Sequence, residues 1–428
     1  MMNTRRPGLL RHAIGPGLLM AGAAIGVSHL VQSTRAGAEY GLLLLPLVLL
    51  ACLLKYPFLE FGPRYAAATG ENLLIGYRRL GRWALGLFAL VTLGTMFIIQ
   101  AVVTVVTAGL FGMVFGMDAS PATLSAWIMG GCLLLLAIGN YRGVDLGMKV
   151  IMGALTISTL ATVALAFGES PDWSTLSGIA QAPQVWTAAG VAFLLALLGW
   201  MPIPLDVAVW HSLWTLERSR ETGTRPSLGQ ALTDFRIGFL AATLLALAFL
   251  LLGALTLHGT GQGFADSAVG FSAQLVDLYA GALGEWSRPL IAVAALTTMF
   301  STTLAVTDAY PRVITALIRA ARADERGVVL GPPEDHRWPY VLSLVVVLSG
   351  ALTLIYLAGE RFTTFVDLAT TISFLSAPVL AWLTLRVVTD EHMPPAARPG
   401  PVLLGLAWVG LIFLISFSLV WAGWRILG

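Results

Sequence analysis

The chain has 428 residues, of which 57% are hydrophobic and only 11% are charged. Soluble domains carry about 25% charged residues, so this composition argues against a soluble enzyme and predicts an integral membrane protein. A formal net charge of +2 without a basic cluster argues against a nucleic-acid partner. The two cysteines, Cys52 and Cys132, lie in apolar runs, which argues against a disulfide framework or a thiolate metal site.

Apolar windows of about 20 residues predict the membrane spans. Eleven such windows occur, at residues 14–38, 41–62, 83–116, 122–140, 146–167, 186–212, 237–257, 286–318, 338–358, 363–385 and 401–425. No cleavable signal pattern precedes the first window, so we interpret it as a retained span. The predicted fold class is an all-α membrane protein with about 11 transmembrane helices.

The first predicted span, 14–38, carries polar residues at the depth of the bilayer midplane. Small residues, including Ala23 and Gly26, precede a polar patch that comprises Ser28, His29, Gln32, Ser33, Thr34 and Arg35. A spanning segment carries such a patch where it lines a cavity or a solute path. We therefore expect this helix to be interrupted beside a binding site.

The sixth predicted span, 186–212, repeats the pattern. Its apolar half leads into Trp200-Met201-Pro202-Ile203-Pro204, and its second half carries Asp206 and His211. Pro202 and Pro204 remove two backbone donors and disfavour helix at the residues before them, so we expect a break there. Two interrupted helices in corresponding halves of a membrane protein are typical of a transporter's binding site.

These interruptions divide the first ten spans into two sets of five with opposite orientation, which is the inverted repeat of LeuT-type transporters. The predicted organisation is a cytoplasmic N-terminus at 1–13, five-helix repeats at 14–167 and 168–385, and an extra helix at 401–425. Loops of this size can cap or gate an outer vestibule, but we interpret the outer segments 169–184 and 258–285 as linkers.

Charge asymmetry orients the chain. With the N-terminus inside, the outer side holds only Arg35, Arg288, Arg361 and Arg425 of the 25 Lys and Arg residues. Cytoplasmic segments carry the excess of these residues. We therefore predict a multi-pass protein of a bacterial-type inner membrane, with a cytoplasmic N-terminus and an outer C-terminus.

Several motifs resemble the Nramp family of proton-coupled divalent-metal transporters. Gly15-Pro16-Gly17 and Ala36-Gly37-Ala38-Glu39-Tyr40-Gly41 are similar to the two ends of that family's first helix, and they align without a gap. Asn140-Tyr141-Arg142 with Asp145, and the step Met201-Pro202, add to the likeness. The resemblance implies a secondary transporter that moves a divalent cation, such as Mg²⁺ or Mn²⁺, by alternating access.

The chemistry of that family's site is replaced here. Where the family has Asp-Pro-Gly-Asn, this chain has Gly26-Val27-Ser28-His29, and the family's Met-Pro-His becomes Met201-Pro202-Ile203. A register that places Ile203-Pro204 at the Met-Pro positions also remains open. Gln100 and Val103 stand at the positions of acidic residues in the family's third helix. The resemblance therefore implies the family's scaffold with a rebuilt site.

The predicted substrate-binding residues group at the two breaks; they are Ala23, Gly26, Ser28, His29, Gln32, Met201, Pro202 and Asp206. One hypothesis is an unconventional metal site, in which His29 and Asp206 supply nitrogen and oxygen ligands and Met201 adds sulfur. Another hypothesis is that His29 and Asp206 pair with each other in a structural or gating role.

A second substrate class is a small organic or anionic solute. Free backbone donors at the breaks would bind such a solute. The apolar side of its site would be lined by Trp200, Trp210 and Trp214. A non-transporting scaffold or receptor is the third interpretation. The sequence has no phosphate loop, no nucleophile with its base and no zinc-type histidine spacing, so we do not expect an enzyme. No cofactor is expected beyond a transported cation, H⁺ or Na⁺, and the sequence makes no prediction of oligomeric state.

Two coupling routes remain open. Ser301-Thr302-Thr303 resembles the hydroxyl pair that binds Na⁺ together with carbonyls of helix 1 in LeuT-type sodium transporters. The alternative is a proton relay through His29, extended by His211, Asp308 and Asp367.

Other charges have structural interpretations. Asp308 and Arg312 are spaced to pair along one helix face, as are Arg35 and Glu39, the second pair being either structural or part of an outer gate. Lys55 and Glu60 flank Pro57 near a predicted helix end, and we expect both charges to extend to water.

Overall fold

The structure, a computed structural model, describes residues 15–138, 142–168, 172–323, 337–359 and 361–427, with only the backbone described for 138, 142–152, 337, 362 and 424–427. Regular structure in these ranges is helical. The first seven helices are α1 (Pro16–Ala24), α2 (Thr34–Tyr40), α3 (Leu45–Thr69), α4 (Leu73–Leu80), α5 (Arg82–Phe115), α6 (Pro121–Ile138) and α7 (Arg142–Gly168). They are followed by α8 (Ala188–Trp200), α9 (Val207–Thr222), α10 (Leu228–Thr256), α11 (Ala268–Leu283), α12 (Arg288–Arg322), α13 (Arg337–Ala358), α14 (Phe362–Thr389) and α15 (Pro401–Leu427).

Seven helices of the described ranges are long and apolar enough to cross a membrane. They lie in α3, α5, α10, α12, α13, α14 and α15, and each overlaps a span expected from the sequence. α6, α11 and the stretch Gly153–Gly168 of α7 are shorter apolar helices. The cytoplasmic N-terminus predicted at 1–13 lies outside the described residues.

One predicted linker is wrong. Residues 258–285 were expected to connect two spans, but they contain α11, whose Phe271 and Tyr279 are buried. Ser267 caps this helix by accepting the N–H of Gly270. A run of 16 residues is shorter than a membrane span, which is why the apolar window did not detect it. The other linker, 169–184, holds the short helices Trp173–Leu176 and Ala182–Val185.

Both expected helix breaks are present. The first span ends as α1 at Ala24, turns through Ile25 and Gly26, and resumes as a π-helical segment, Val27–Ser33, that continues into α2. The sixth span ends as α8 at Trp200 and resumes as α9 at Val207. Single π-helical turns occur frequently at functional sites.

Close backbone contacts fix the first span against α10. A Cβ added at Gly37 would lie 1.9 Å from the carbonyl oxygen of Leu250, so only glycine fits there. At the other end, the Asp234 carboxylate accepts the N–H groups of Gly15 and Gly17 at 3.0 and 2.6 Å. These contacts hold α1 and α2 along one helix on either side of the break.

Candidate functional site

A cavity of about 30 Å³ lies between the two helix breaks. It is lined by Ala23, Val27, Ser28, Ile99, Val103, Trp200, Ile203, Pro204, Val207, Trp210, Thr302 and Val306. Of the predicted binding residues, Ala23 and Ser28 lie on this lining, and Trp200 and Trp210 form part of the expected aromatic wall. Such a volume accommodates a water molecule or a small ion, so the cavity is small in this conformation.

The wall formed by α12 meets the first break directly. The Thr302 hydroxyl donates to the carbonyl of Gly22 at 3.0 Å. A Cβ at Gly26 would lie 2.8 Å from Thr302 Cγ2, so Gly26 gives α12 room at the break. Thr303 instead donates to the carbonyl of Val103 on α5 at 3.0 Å, and Ser301 is half-buried. Thr302 is therefore the member of the predicted hydroxyl group that reaches the first span.

The π-helical segment holds His29 by both ring nitrogens. Nε2 lies 2.8 Å from the carbonyl oxygen of Ala242, and Nδ1 lies 2.8 Å from the Ser28 hydroxyl. Because a carbonyl only accepts, Nε2 carries the proton in this arrangement. His29 is fully buried, and both of its ring nitrogens make these contacts rather than the pairing with Asp206 that one hypothesis proposed.

The predicted metal ligands make hydrogen bonds to other groups. Met201 Sδ accepts from the Ser33 hydroxyl at 3.6 Å, whereas Asp206 Oδ2 accepts from the Tyr310 hydroxyl at 3.3 Å. Asp206 Oδ1 is buried without a hydrogen-bond partner. In the part of the chain that the structure describes, no three His, Cys, Asp or Glu side chains cluster as a metal site. His29, Met201 and Asp206 are thus each hydrogen-bonded to a group outside the hypothetical metal site.

The expectation that Lys55 and Glu60 extend to water is wrong. The Lys55 side chain is 2% exposed, and its ammonium donates to the carbonyls of Leu198 and Gly199 at 2.6 and 2.8 Å. Glu60, also buried, accepts from Arg64 Nη2 at 2.6 Å. The physical reason is that α3 runs to Thr69, so both residues lie within the helix rather than at its end.

Three side chains form a polar cap between the half of the first span that follows the break and α14; they are Gln32, Arg35 and Asp367. Arg35 Nη1 and Gln32 Nε2 lie 2.8 and 3.0 Å from the same Asp367 oxygen. Arg35 also pairs with Glu39 at 3.5 Å, as predicted. Gln32 and Asp367 therefore belong to this cap and not to the cavity lining.

The remaining residues of the hypothetical proton relay lie in separate groups of contacts. Asp308 pairs with Arg312 at 2.6 Å, which confirms that expected pair, and it accepts from the Tyr340 hydroxyl at 2.7 Å. His211 is buried beside Phe235 and Trp214, and its ring nitrogens have no hydrogen-bond partner.

Gln100 and Val103, which stand at positions of acidic residues in the third helix of the Nramp-like motif, both lie on α5. Gln100 donates to Thr104 and Thr307, and Val103 lines the cavity.

Comparisons with known proteins agree on one family. The family model described as natural resistance-associated macrophage protein-like (Nramp) matches residues 17–422. An uncharacterised protein of Pasteurella multocida is 35% identical, covering 96% of this chain and 93% of its own length. A Xanthomonas campestris protein named divalent metal cation transporter MntH is 23% identical, covering 95% of this chain and 89% of its own.

A solved structure extends the likeness to the fold. The manganese transporter of Eremococcus coleocola superposes with a TM-score of 0.71 at 15% identity, covering 98% of this chain and 87% of that one. The predicted fold class, an all-α membrane protein of LeuT type, is confirmed.

Proposed function

This chain belongs to the Nramp family of transmembrane transporters, and from this we propose that it is a secondary transporter that works by alternating access. The observation that carries the proposal is the small cavity between two interrupted helices. The polar cap of Gln32, Arg35 and Asp367 joins α2 to α14 and would have to separate when the chamber opens on that side.

We propose a small solute other than a divalent metal as the substrate. Mg²⁺ and Mn²⁺ are bound by oxygen ligands that usually include one or two carboxylates. The polar side chains on the cavity lining are hydroxyls, Ser28 and Thr302, and the indoles of Trp200 and Trp210. Trp200 already donates its indole N–H to Ser373 at 2.8 Å. This lining suits a small organic or anionic solute, coupled to H⁺ or Na⁺, better than a bare cation.

A divalent cation is the second candidate, because relatives of this chain carry that name. The Xanthomonas campestris relative is named a divalent metal cation transporter, and the superposed Eremococcus coleocola protein is a manganese transporter. Those names concern proteins at 23% and 15% identity. For this chain, a metal would have to be bound without a carboxylate on the cavity lining.

Uptake into proteoliposomes tests both candidates. Purified protein is reconstituted and assayed with radiolabelled Mn²⁺, bicarbonate and a panel of amino and carboxylic acids. We expect saturable uptake of an organic or anionic solute and none of Mn²⁺. Saturable Mn²⁺ uptake would support the second candidate, and absence of any flux would indicate a receptor or scaffold.

Two matched substitutions on α5 link the flux to the cavity. Val103→Trp places a large ring on the cavity lining and should abolish uptake. Leu90→Trp puts the same ring at a side chain that is 70% exposed and should leave uptake unchanged. Equal uptake by the two variants would show that the cavity does not lie on the solute path.

A further inference from the structure

The buried ammonium of Lys55 lies on the broken end of α8. The last carbonyls of a helix have no intrahelical N–H partner and carry a partial negative charge. The carbonyl of Leu198 would ordinarily accept from the residue four positions on, but that residue is Pro202, which has no N–H. Lys55 supplies the missing donor to Leu198 at 2.6 Å and to Gly199 at 2.8 Å.

A bound cation would contact the same two carbonyl oxygens, those of Leu198 and Gly199. Carbonyl oxygens at an unwound helix end coordinate coupling cations in transporters with broken helices. An ammonium makes the same contacts through its donors, and burying it is favourable only when it is paired and hydrogen-bonded. Here the cation is tethered to α3 and therefore cannot leave with a solute.

Two other titratable side chains lie on the elements that meet at this break. Cys52 lies one turn before Lys55 on α3, and Asp206 lies at the other side of the α8–α9 break. Cys52 is a free, buried thiol. Asp206 is buried and keeps one carboxylate oxygen without a hydrogen-bond partner. The break therefore holds one basic and one acidic side chain before any solute enters.

We propose that Lys55 is a resident cation that takes the place of a bound metal or Na⁺ at the second break, so that the transported solute carries no net positive charge. This inference rests on the proposed transport function for its substrate class. A divalent cation entering the cavity would add two positive charges to a buried region that already holds the Lys55 ammonium. In a medium of low dielectric constant that excess charge is strongly unfavourable.

Thermal unfolding of the purified full-length chain in detergent tests the inference. Lys55→Ala removes the ammonium and leaves two bare carbonyls beside a space, so its unfolding temperature should fall. Methylammonium, which has the chemistry of the missing group, should restore it. Above its dissociation constant, each tenfold rise in methylammonium should raise the folded-to-unfolded ratio about tenfold. Tetramethylammonium, which has no N–H donor, should not restore it.

Arg78→Ala is the matched control. Arg78 is also a buried cation that donates to a helix-terminal carbonyl, that of Ala323 at 3.0 Å, but it lies on α4 away from the lining of the cavity. This variant should lose stability and should not respond to methylammonium. An equal response from both variants would make the rescue non-specific and overturn the proposal.

Two further measurements cover the other outcomes. Lys55→Met keeps the apolar stem without the charge and must unfold at a lower temperature than the native chain; equal stability overturns the proposal. It also serves if Lys55→Ala does not fold. The native chain should show no stabilisation by Mn²⁺ or Na⁺, and a dose-dependent shift with either ion overturns the resident-cation assignment. These readouts need no transport, so a lack of flux in proteoliposomes removes the proposed function alone.

Discussion

Arg35 and Asp367, 332 residues apart in sequence, form an ion pair with 2.8 Å between Nη1 and Oδ1. It joins the half of the first span that follows the break to α14. The guanidinium also lies 5.0 Å from the centre of the Phe193 ring on α8, so one side chain contacts three elements. The side chain of Asp367 is 30% exposed, which places this pair near the protein surface rather than in the core.

We predict that Asp367→Asn favours opening of the chamber on the side of the polar cap. An ion pair with this exposure contributes about 1 kcal/mol, which corresponds to a population change of about fivefold. The measurement is the rate at which a water-soluble thiol reagent modifies Ala23→Cys on the cavity lining. The native cysteines are buried and provide a low background.

The control for this experiment is Asp277→Asn. Asp277 pairs with Arg288 in an exposed position and has no contact with the cavity lining. It should leave the modification rate of Ala23→Cys unchanged. An unchanged rate in Asp367→Asn as well would show that the polar cap does not restrain the chamber.

His29 is predicted to act in the structure as an anchor for α10. His29→Ala removes the contacts with Ser28 and with the carbonyl of Ala242, and it leaves space in a fully buried region. Loss of a large buried side chain costs about 2–5 kcal/mol, so a clear drop in the unfolding temperature is expected. His29→Gln, which keeps an N–H donor, should recover part of it. A metal-ligand role would instead give normal stability together with loss of a Mn²⁺-dependent shift.

The positions of the breaks could be predicted because their causes are local. Pro202 and Pro204 interrupt a helix wherever it packs, and the polar patch after Gly26 cannot face lipid. The structure has both breaks within a few residues of the expected places. α11 could not be found in this way, because its 16 residues are too few to fill an apolar window of about 20.

The partners of the polar side chains could not be predicted, because they come from packing between distant segments. Periodicity places His29 on a helix, but the carbonyl that it contacts belongs to Ala242, 213 residues later. The sequence did single out Lys55, because it is a charged residue in an apolar run. The predicted helix ended at residue 62 and placed that charge near water, whereas α3 continues to Thr69 and buries it.

Asp172, in the segment before α8, provides a prediction of pH dependence. The hydroxyl groups of Ser174 and Thr175 and the N–H of Ser174 hydrogen-bond its carboxylate and lower its pKa from 3.8 to about 2. Because the folded pKa is below the ordinary value, the local stabilisation is complete above about pH 4 and is lost as the pH falls through 2. Hydrogen exchange of the short helix Trp173–Leu176, corrected for intrinsic rates, should lose protection in that window. Asp172→Asn keeps a capping side chain that does not titrate, so its protection should show no such loss.

Thr302 and Gly26 are predicted to be coupled energetically at the first break. The N–H of Gly26 donates to Ala24 rather than to Gly22, and the Thr302 hydroxyl satisfies the Gly22 carbonyl in its place. Thr302→Val should therefore cost about 1–3 kcal/mol, the usual penalty for a buried acceptor that loses its partner.

Gly26→Ala should also destabilise, because its Cβ would lie 2.8 Å from Thr302 Cγ2. Thr302→Ser keeps the hydroxyl and removes that methyl group. The double variant Gly26→Ala/Thr302→Ser should therefore be more stable, by about 1 kcal/mol, than the sum of its two single changes predicts. Chemical unfolding of the native chain, the two single variants and the double variant measures this coupling. Additive losses would contradict it, and a loss in Thr302→Val that appears only when Na⁺ is present would assign Thr302 to a sodium site.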